Sequence, residues 1–600
     1  MRRILTCLAA AAMVGGVARA QWLTQELGLK AGWNAVFLHV DASHATIDQL
    51  VASDPNGTIE EVWLWKPELS AQQFVDSPQA PLTTDSRWVS WTRTQGVAST
   101  LSRLAPNFAY LVKVKATVPT YTWAVKGTPV APSYQWTTSG MNFLGFPTDA
   151  ATPPTFDTFL GQGPAEFRRS AEFYRYPGGN LGPGNPGQVF ALRTTQMRRG
   201  EAYWIKSGDY FNRYFGPFEV QASGSGQVKF GDALRTAGIR INNLTASPLT
   251  LRLGFLASEA APAGQPTVTG VVPLLIRGAR NNQTGKYAYT RLEVGTPSTW
   301  TLAPAGADGS SVEVVLGADR SAMTGNVGDL LAGVLQFSDG NSQSRIDVAV
   351  SAQVGSTAGL WVGNAAVDQV GQYLKKYAKD AAGNVLVDTD GKYQVTSTNT
   401  ALAATRSATE MRLIVHNPTN GPATLFQRLF TGMDTQTNAV VATTETVLAR
   451  SSLSEARRIS APHLPFTPAN AGWDFSGRVG PGVTVTTSVT NRFDDGMSNP
   501  FVHTYHPDHD NLNARFTQTV PQGSESYTVV RDITLQFTPP SDDFAGRTSV
   551  GQSLGGVYGE TIRVLGLARG GGNADTRTFE VRGDFTLNRI SPTPVVSRAP

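Results

Sequence analysis

The first 206 residues of this 600-residue chain carry one ordered set of fragments twice, and a repeated pattern demands a repeated unit of structure. The first set opens with Gly32-Trp33-Asn34-Ala35-Val36-Phe37-Leu38 and reaches Asp41. The second opens with Gly140-Met141-Asn142-Phe143-Leu144-Gly145-Phe146 and reaches Asp149. The Gly-to-Asp distance is nine in both (41 − 32 and 149 − 140). A short helix-like stretch follows each, Thr46 to Val51 and Phe156 to Leu160. Next comes an alternating aromatic strand, Val62-Trp63-Leu64-Trp65 in one and Phe173-Tyr174-Arg175-Tyr176 in the other. The sets close on Ala109-Tyr110-Leu111-Val112-Lys113 and Ala202-Tyr203-Trp204-Ile205-Lys206. One matching fragment is chance; four in the same order are a duplication.

Each copy reads as a small β domain. Gly-x-Asn makes a tight start to a buried strand, the Ala-Tyr strand closes the sheet, and large aromatics fill a core too small for aliphatic side chains alone. With those fragments in place, the stretch over roughly 21–221 resembles the GWN…GYW modules of large exported bacterial proteins. The resemblance implies β modules at 21–127 and 128–221 and brings no enzymatic activity with it.

The N-terminal residues 1–20 have the pattern of a secretory signal peptide: Met1-Arg2-Arg3, an apolar run from Ile4 to Val17, and the small-x-small Ala18-Arg19-Ala20. The run falls short of the roughly 20 apolar residues that span a bilayer, and no transmembrane segment follows. The expectation is export to the periplasm, cell surface or extracellular space. The only cysteine, Cys7, lies near the start of that run, so a lipidated N-terminus is not expected and the mature chain has no thiol. Exported proteins often use disulfides; this one must hold by burying apolar surface. A mature chain of 580 residues (600 − 20) exceeds the roughly 250–300 at which single cores stop growing, so several domains are expected. Cleavage lowers the formal charge from +4 to +1, because Arg2, Arg3 and Arg19 leave. No long Lys/Arg block remains to release counterions from a phosphate backbone, which sets nucleic acid and anionic membranes aside as partners.

The whole chain reads as all-β. Its 60 glycines, 36 prolines and 16% charged residues favour short strands joined by many turns. From 222 to 355, Leu249, Leu251, Leu253 and Phe255 alternate with Thr250, Arg252 and Gly254, the signature of a half-buried strand. Val334 to Phe337 and Ile346 to Val350 flank Ser338-Asp339-Gly340-Asn341, a hairpin with an Asp-Gly turn. Regular strand spacing there suggests an immunoglobulin-like sandwich. A boundary falls near 356, and 356–600 forms a C-terminal β-sandwich region in which Tyr527, Val529, Ile533, Leu535 and Phe537 share one parity. Ala366 to Lys379 reads as an amphipathic helix with Val367, Val370, Leu374 and Tyr377 on one face, or else as an extension of the strand before it.

Two groups of residues offer chemistry. Trp63 and Trp65, or Trp88 and Trp91, would stack on sugar rings if they project from the surface, making this a carbohydrate-binding protein. Trp63 and Trp65 share a strand face, and Leu64 between them points instead to a sheet covered on both sides, with the tryptophans in its core. The second group is His503, His506, Asp508, His509 and Asp510, an imidazole and carboxylate set suited to a divalent metal ion. A spacing of three places the histidines on one edge of a polyproline-like segment. The bland alternative is a polar turn, for which Asp, Asn and Pro are the usual residues. The string lacks the His-x-His-x-Asp-His order of metallo-β-lactamase-like hydrolases, since Thr504 stands where an imidazole is required. His506 to Asn511, with the closing strand Phe585 to Ile590, resembles the C-terminal region of uncharacterised exported multi-domain proteins of environmental bacteria, a resemblance that carries no activity.

No nucleophile elbow or phosphate cradle stands out. The expectation is therefore an exported non-enzymatic structural or adhesive protein that needs no cofactor, with a polysaccharide or another envelope protein as partner. A metal-dependent hydrolase centred on His503, His506 and His509 is the remaining alternative. Elemental analysis of the purified mature protein decides the metal: one equivalent of zinc, copper, nickel or calcium is expected if the cluster is a site, and none ends that reading.

Overall fold

A computed structural model describes residues 21–66, 75, 77–133, 140–161, 171–206, 216–222, 226–341, 343–389, 393–401, 409–436, 440–443, 453–461, 472–492, 527–539, 552–565 and 576–596. The chain divides into two units, Met1–Val354 and Gly355–Pro600. Both are built from β-strands, and among the described residues no helix is long and apolar enough to cross a membrane.

The first unit begins β1 (Leu23–Lys30), β2 (Gly32–Phe37), β3 (Val40–Asp41), α1 (Ile47–Leu50), β4 (Ile59–Trp65), β5 (Trp88–Thr92), β6 (Ala109–Val114) and β7 (Thr120–Pro129). It continues β8 (Met141–Leu144), α2 (Phe156–Leu160), β9 (Glu172–Arg175), β10 (Gly187–Gln188) and β11 (Tyr203–Lys206). Two four-stranded sheets result, ordered β2-β6-β4-β5 and β8-β11-β9-β10. The registers match as well: Asn34 faces Val112 and Asn142 faces Ile205, while Trp63 faces Leu111 and Tyr174 faces Trp204.

Local chemistry explains these shared features. Gly32 and Gly140 have φ of 80° and 85°, the left-handed region that penalises a Cβ. At Gly32 a Cβ would also lie 2.3 Å from the Gly179 carbonyl oxygen. The Asn34 side chain then closes the turn, accepting from Lys30 N–H and donating to Lys30 O. Asp41 accepts from the N–H of Ser43, and Asp149 from that of Ala151, two residues on in each case. Thr46 and Thr155 cap the two short helices. The Tyr110 hydroxyl bonds both backbone groups of Ala105, and the Tyr203 hydroxyl accepts from Arg198 N–H, each reaching five residues back.

Side chains alternate across β4 as strand geometry requires. Val62 and Leu64 join Val36, Tyr110, Val112 and the α1 residue Ile47 in a core closed by β1 and β7. Trp63 and Trp65 point the other way, into a core shared with Phe143, Phe173 and Trp204 of the second sheet. The sheets also exchange backbone bonds, Trp33 N–H to Gly179 O and Met141 N–H to Val75 O, both 2.8 Å.

Past residue 216 a five-stranded and a six-stranded sheet enclose one apolar core. Leu251, Leu253 and Phe255 point into it, buried as their alternation implies. Strands Leu330–Asp339 and Arg345–Gln353 pair as the hairpin expected from sequence. Its connection is longer than two residues, and the buried Asp339 carboxylate organises it by accepting from Gln343 and Ser344 N–H.

In the second unit a nine-stranded sheet and a three-stranded sheet surround one core. Along the main path the order is Gly472–Asp474, Thr424–Phe426, Thr409–Asn417, Gly359–Tyr377, Thr576–Ser591, Ser553–Leu565, Thr528–Phe537, Thr484–Asn491. Its two ends meet: Ser476 N–H donates to Thr486 O and the Thr487 hydroxyl to Asp474 O. The amphipathic helix considered for Ala366 to Lys379 is not formed. Ala366 to Tyr377 belongs instead to the 19-residue strand Gly359–Tyr377, because Thr576–Ser591 pairs along one side and Thr409–Asn417, then Val395–Ala401, along the other, and tertiary pairing overrides a weak local preference.

Gly32→Ala is expected to lower unfolding stability by about 2–4 kcal/mol, combining left-handed strain with the clash against Gly179 O. Gly28→Ala on the neighbouring strand, with nothing within 4 Å of its Cβ, should shift stability by less than about 0.5 kcal/mol. Denaturant titration of the two variants checks the contrast.

Candidate functional site

The four tryptophans singled out by sequence are core residues. Trp63, Trp65, Trp88 and Trp91 are 6%, 6%, 5% and 1% exposed. Trp65 packs edge-on against Trp88 and Trp204, with ring centroids 5.0 and 5.6 Å apart. Trp204 stacks on Phe143 at 4.6 Å and donates its indole N–H to the Tyr176 hydroxyl. Trp91 lies on the opposite face and donates to Asp48. No broad ring face is left for a sugar, so the stacking platform is corrected to a packed interface: each face of this sheet is covered by another element. His503, His506, Asp508, His509 and Asp510 lie outside the described residues. Among the described residues no group of three or more His, Cys, Asp or Glu side chains is placed to hold a metal.

The polar chemistry of the first unit gathers instead where the segment before β11 passes β1, β2 and the sandwich. Arg199 is the anchor, its side chain 8% exposed. It reaches Asp347 Oδ2 at 2.8 Å and the carbonyls of Arg345 at 2.7 Å and Thr148 at 3.2 Å. Arg345 comes within 3.3 Å of the same carboxylate. Beside this group His39 is buried, its ring edge-on to Phe37. Burial pushes the His39 pKa well below its ordinary value, and the Arg199 and Arg345 charges push it the same way, against a hydrogen bond with the Phe146 backbone.

On the outer side of the same segment is a cleft of about 140 Å³, lined by residues that include Gly28, Lys30, Arg175, Arg198 and Glu201. Arg175 and Glu201 pair at 2.7 Å. Glu201 also accepts from the Tyr203 hydroxyl at 3.0 Å. Sequence reading passed over these residues. Arg198-Arg199 directly precedes the second Ala-Tyr strand, but a basic pair at a strand entrance is ordinary surface in most chains.

Other buried or half-buried ionisable groups are locked by the fold. Burial raises the pKa of Tyr110, Tyr203 and Tyr558. Burial lowers Arg320 to about 10, and its guanidinium donates to the carbonyls of Phe230, Leu234 and Gln353. In the second unit Arg531 pairs with Glu560, which also accepts from the Tyr558 hydroxyl at 2.9 Å.

No protein-family profile matches the sequence. No curated protein matches it either. Among solved structures, a multidomain protein including DUF1735 from Bacteroides ovatus is similar over 61% of this chain and 92% of its own length, at 9% identity and a TM-score of 0.14.

The His39 environment has a pH signature. The ring stays neutral in the fold but takes a proton near pH 6.5 in the unfolded chain. Below that pH the unfolded state binds more protons, so stability falls as pH drops, by at most about 1.4 kcal/mol per unit. Between pH 7 and 5.5 the unsubstituted protein should lose about 1 kcal/mol more than His39→Gln, measured by denaturant unfolding at each pH. Equal losses would show that His39 does not set this dependence.

Proposed function

We propose that this chain is an exported, non-catalytic β protein of the bacterial envelope or extracellular space, serving a structural or adhesive role through the surfaces of its domains. On this reading residues 1–20 are a signal peptide and 21–127 and 128–221 are copies of one GWN…GYW-type module. An immunoglobulin-like sandwich then occupies 222–355, and a second β region 356–600. Equal strand order and register in the two four-stranded sheets support the duplication.

One observation supports the non-catalytic role above others. Among the described residues, strongly buried ionisable groups such as His39, Tyr203, Asp347, and Arg531 with Glu560 sit inside packed interfaces. An active site would set such groups in a cleft open to substrate. Here they tie one strand to another, as a load-transmitting scaffold requires.

Expression of the full chain in a bacterial host, followed by fractionation and N-terminal mass analysis, tests export. The mature protein should begin at Gln21 and appear outside the cytoplasm. Cytoplasmic retention with Met1 intact would overturn export. Cells lacking the chain should attach less to surfaces and recover on its re-expression; unchanged attachment and unchanged envelope integrity would remove the structural and adhesive role.

A further inference from the structure

We propose that the cleft between β1, β2 and residues 198–202 binds a small oxyanion, a carboxylate, sulfate or phosphate carried on a group no larger than one sugar. Its cationic lining is Lys30, Arg175, Arg198 and Arg199, against the single carboxylate of Glu201. Two of these cations are already neutralised, Arg175 by Glu201 at 2.7 Å and Arg199 by Asp347 at 2.8 Å. Lys30 and Arg198 are exposed, and among the described residues neither side chain meets a carboxylate. The cleft thus keeps an excess of two positive charges. In a recess with protein walls such an excess raises the local concentration of anions.

The backbone holds that recess open. In β1, Leu27 and Leu29 turn into the core, each 2% exposed, while Gly28 and Lys30 face out on the other parity. Gly28 has nothing within 4 Å of where its Cβ would stand, so the strand offers bare backbone beside the lysine. The wall opposite is fixed by the ladder between the sheets: Phe37 N–H donates to Gly200 O at 2.9 Å and Ala202 N–H to Ala35 O at 3.1 Å. Arg198 is held at its base by the bond from its N–H to the buried Tyr203 hydroxyl. Volume sets the ligand's size. About 140 Å³ is well below the roughly 300–1,000 Å³ of pockets for drug-sized molecules. It suits one charged end group with a small ring, whether free or at the terminus of a longer anionic chain.

The proposal goes beyond the structural or adhesive role and does not depend on export. Titration calorimetry on the folded mature chain at low ionic strength uses three probes: sodium galacturonate, inorganic phosphate and neutral galactose. Saturable binding of galacturonate, or of phosphate, with none of galactose is expected. Galacturonate binding more tightly would mark a sugar-acid site, and phosphate binding more tightly a free-anion site. Lys30→Ala combined with Arg198→Ala should weaken binding at least tenfold. Gly28→Leu should abolish it with an unchanged melting temperature. No saturable binding of either anion overturns the site, as does binding that survives the double substitution. Should Gly28→Leu fail to fold, the double substitution still decides.

Discussion

The aromatic layer between the two four-stranded sheets is the contact on which the first unit depends. The chain's only cysteine is Cys7, so no cross-link substitutes for packing in residues 21–600. A four-stranded sheet with strands of two to seven residues has too little area to stand alone. Facing the sheets solves this. Trp65, Trp88, Trp204 and Phe143 form a continuous edge-and-stack arrangement with centroids 4.6–6.5 Å apart. Each large ring removes about 150–250 Å² from water, worth roughly 4–6 kcal/mol at 25 cal/mol/Å². Remove the layer and each sheet exposes a face of tryptophan and phenylalanine.

Buried charges act on geometry more than on stability. Withdrawing Arg199 and Asp347 from water costs several kcal/mol for each ion, and their attraction does little more than offset it. What the pair adds is register. The guanidinium reaches both the Asp347 carboxylate and the Arg345 carbonyl only if strand Arg345–Gln353 stands where it does. In the second unit Arg531 and Glu560 lie on adjacent strands, facing Ile562 and Ile533. All four side chains share one face, so a one-residue slip of either strand would turn its ion to the other face and bring a residue of the opposite parity, such as Asp532 or Thr561, inward.

Much of this was legible because period and turn chemistry are local. Leu249 to Phe255 alternated, and the strand exists; Gly32 and Gly140 opened their motifs, and both adopt positive φ. The tryptophans show the boundary of such reading. Spacing placed Trp63 and Trp65 on one face, but whether that face meets water depends on a second sheet starting more than 70 residues later. Leu64 hinted at it, since an apolar residue on the opposite face leaves no side for solvent. The stretch after Ala366 failed for a related reason. Val367, Val370, Leu374 and Tyr377 fit helical spacing, and only pairing with Thr576–Ser591 on one side and with Thr409–Asn417 and then Val395–Ala401 on the other makes it a strand. The basic cleft had no local mark at all, because Lys30 and Arg198 are brought together by the fold.

The proposed duplication also explains why the two sheets face each other in one way. Register makes Leu111 the counterpart of Trp204, and Trp63 and Trp65 the counterparts of Tyr174 and Tyr176. Where one sheet carries indoles on its aromatic strand, the other carries phenols; where one carries leucine on its closing strand, the other carries tryptophan. Bulk removed from one position returns on the facing sheet, which keeps the interface filled at native density. Within the second copy the buried Trp204 indole N–H also needs an acceptor, and the Tyr176 hydroxyl supplies it at 2.9 Å, where a tryptophan at that position could not. The first copy, with Leu111 and Trp65 at the matching positions, has no equivalent of that bond. Divergence of the copies thus redistributes ring bulk across the shared core while the strand order and register stay the same.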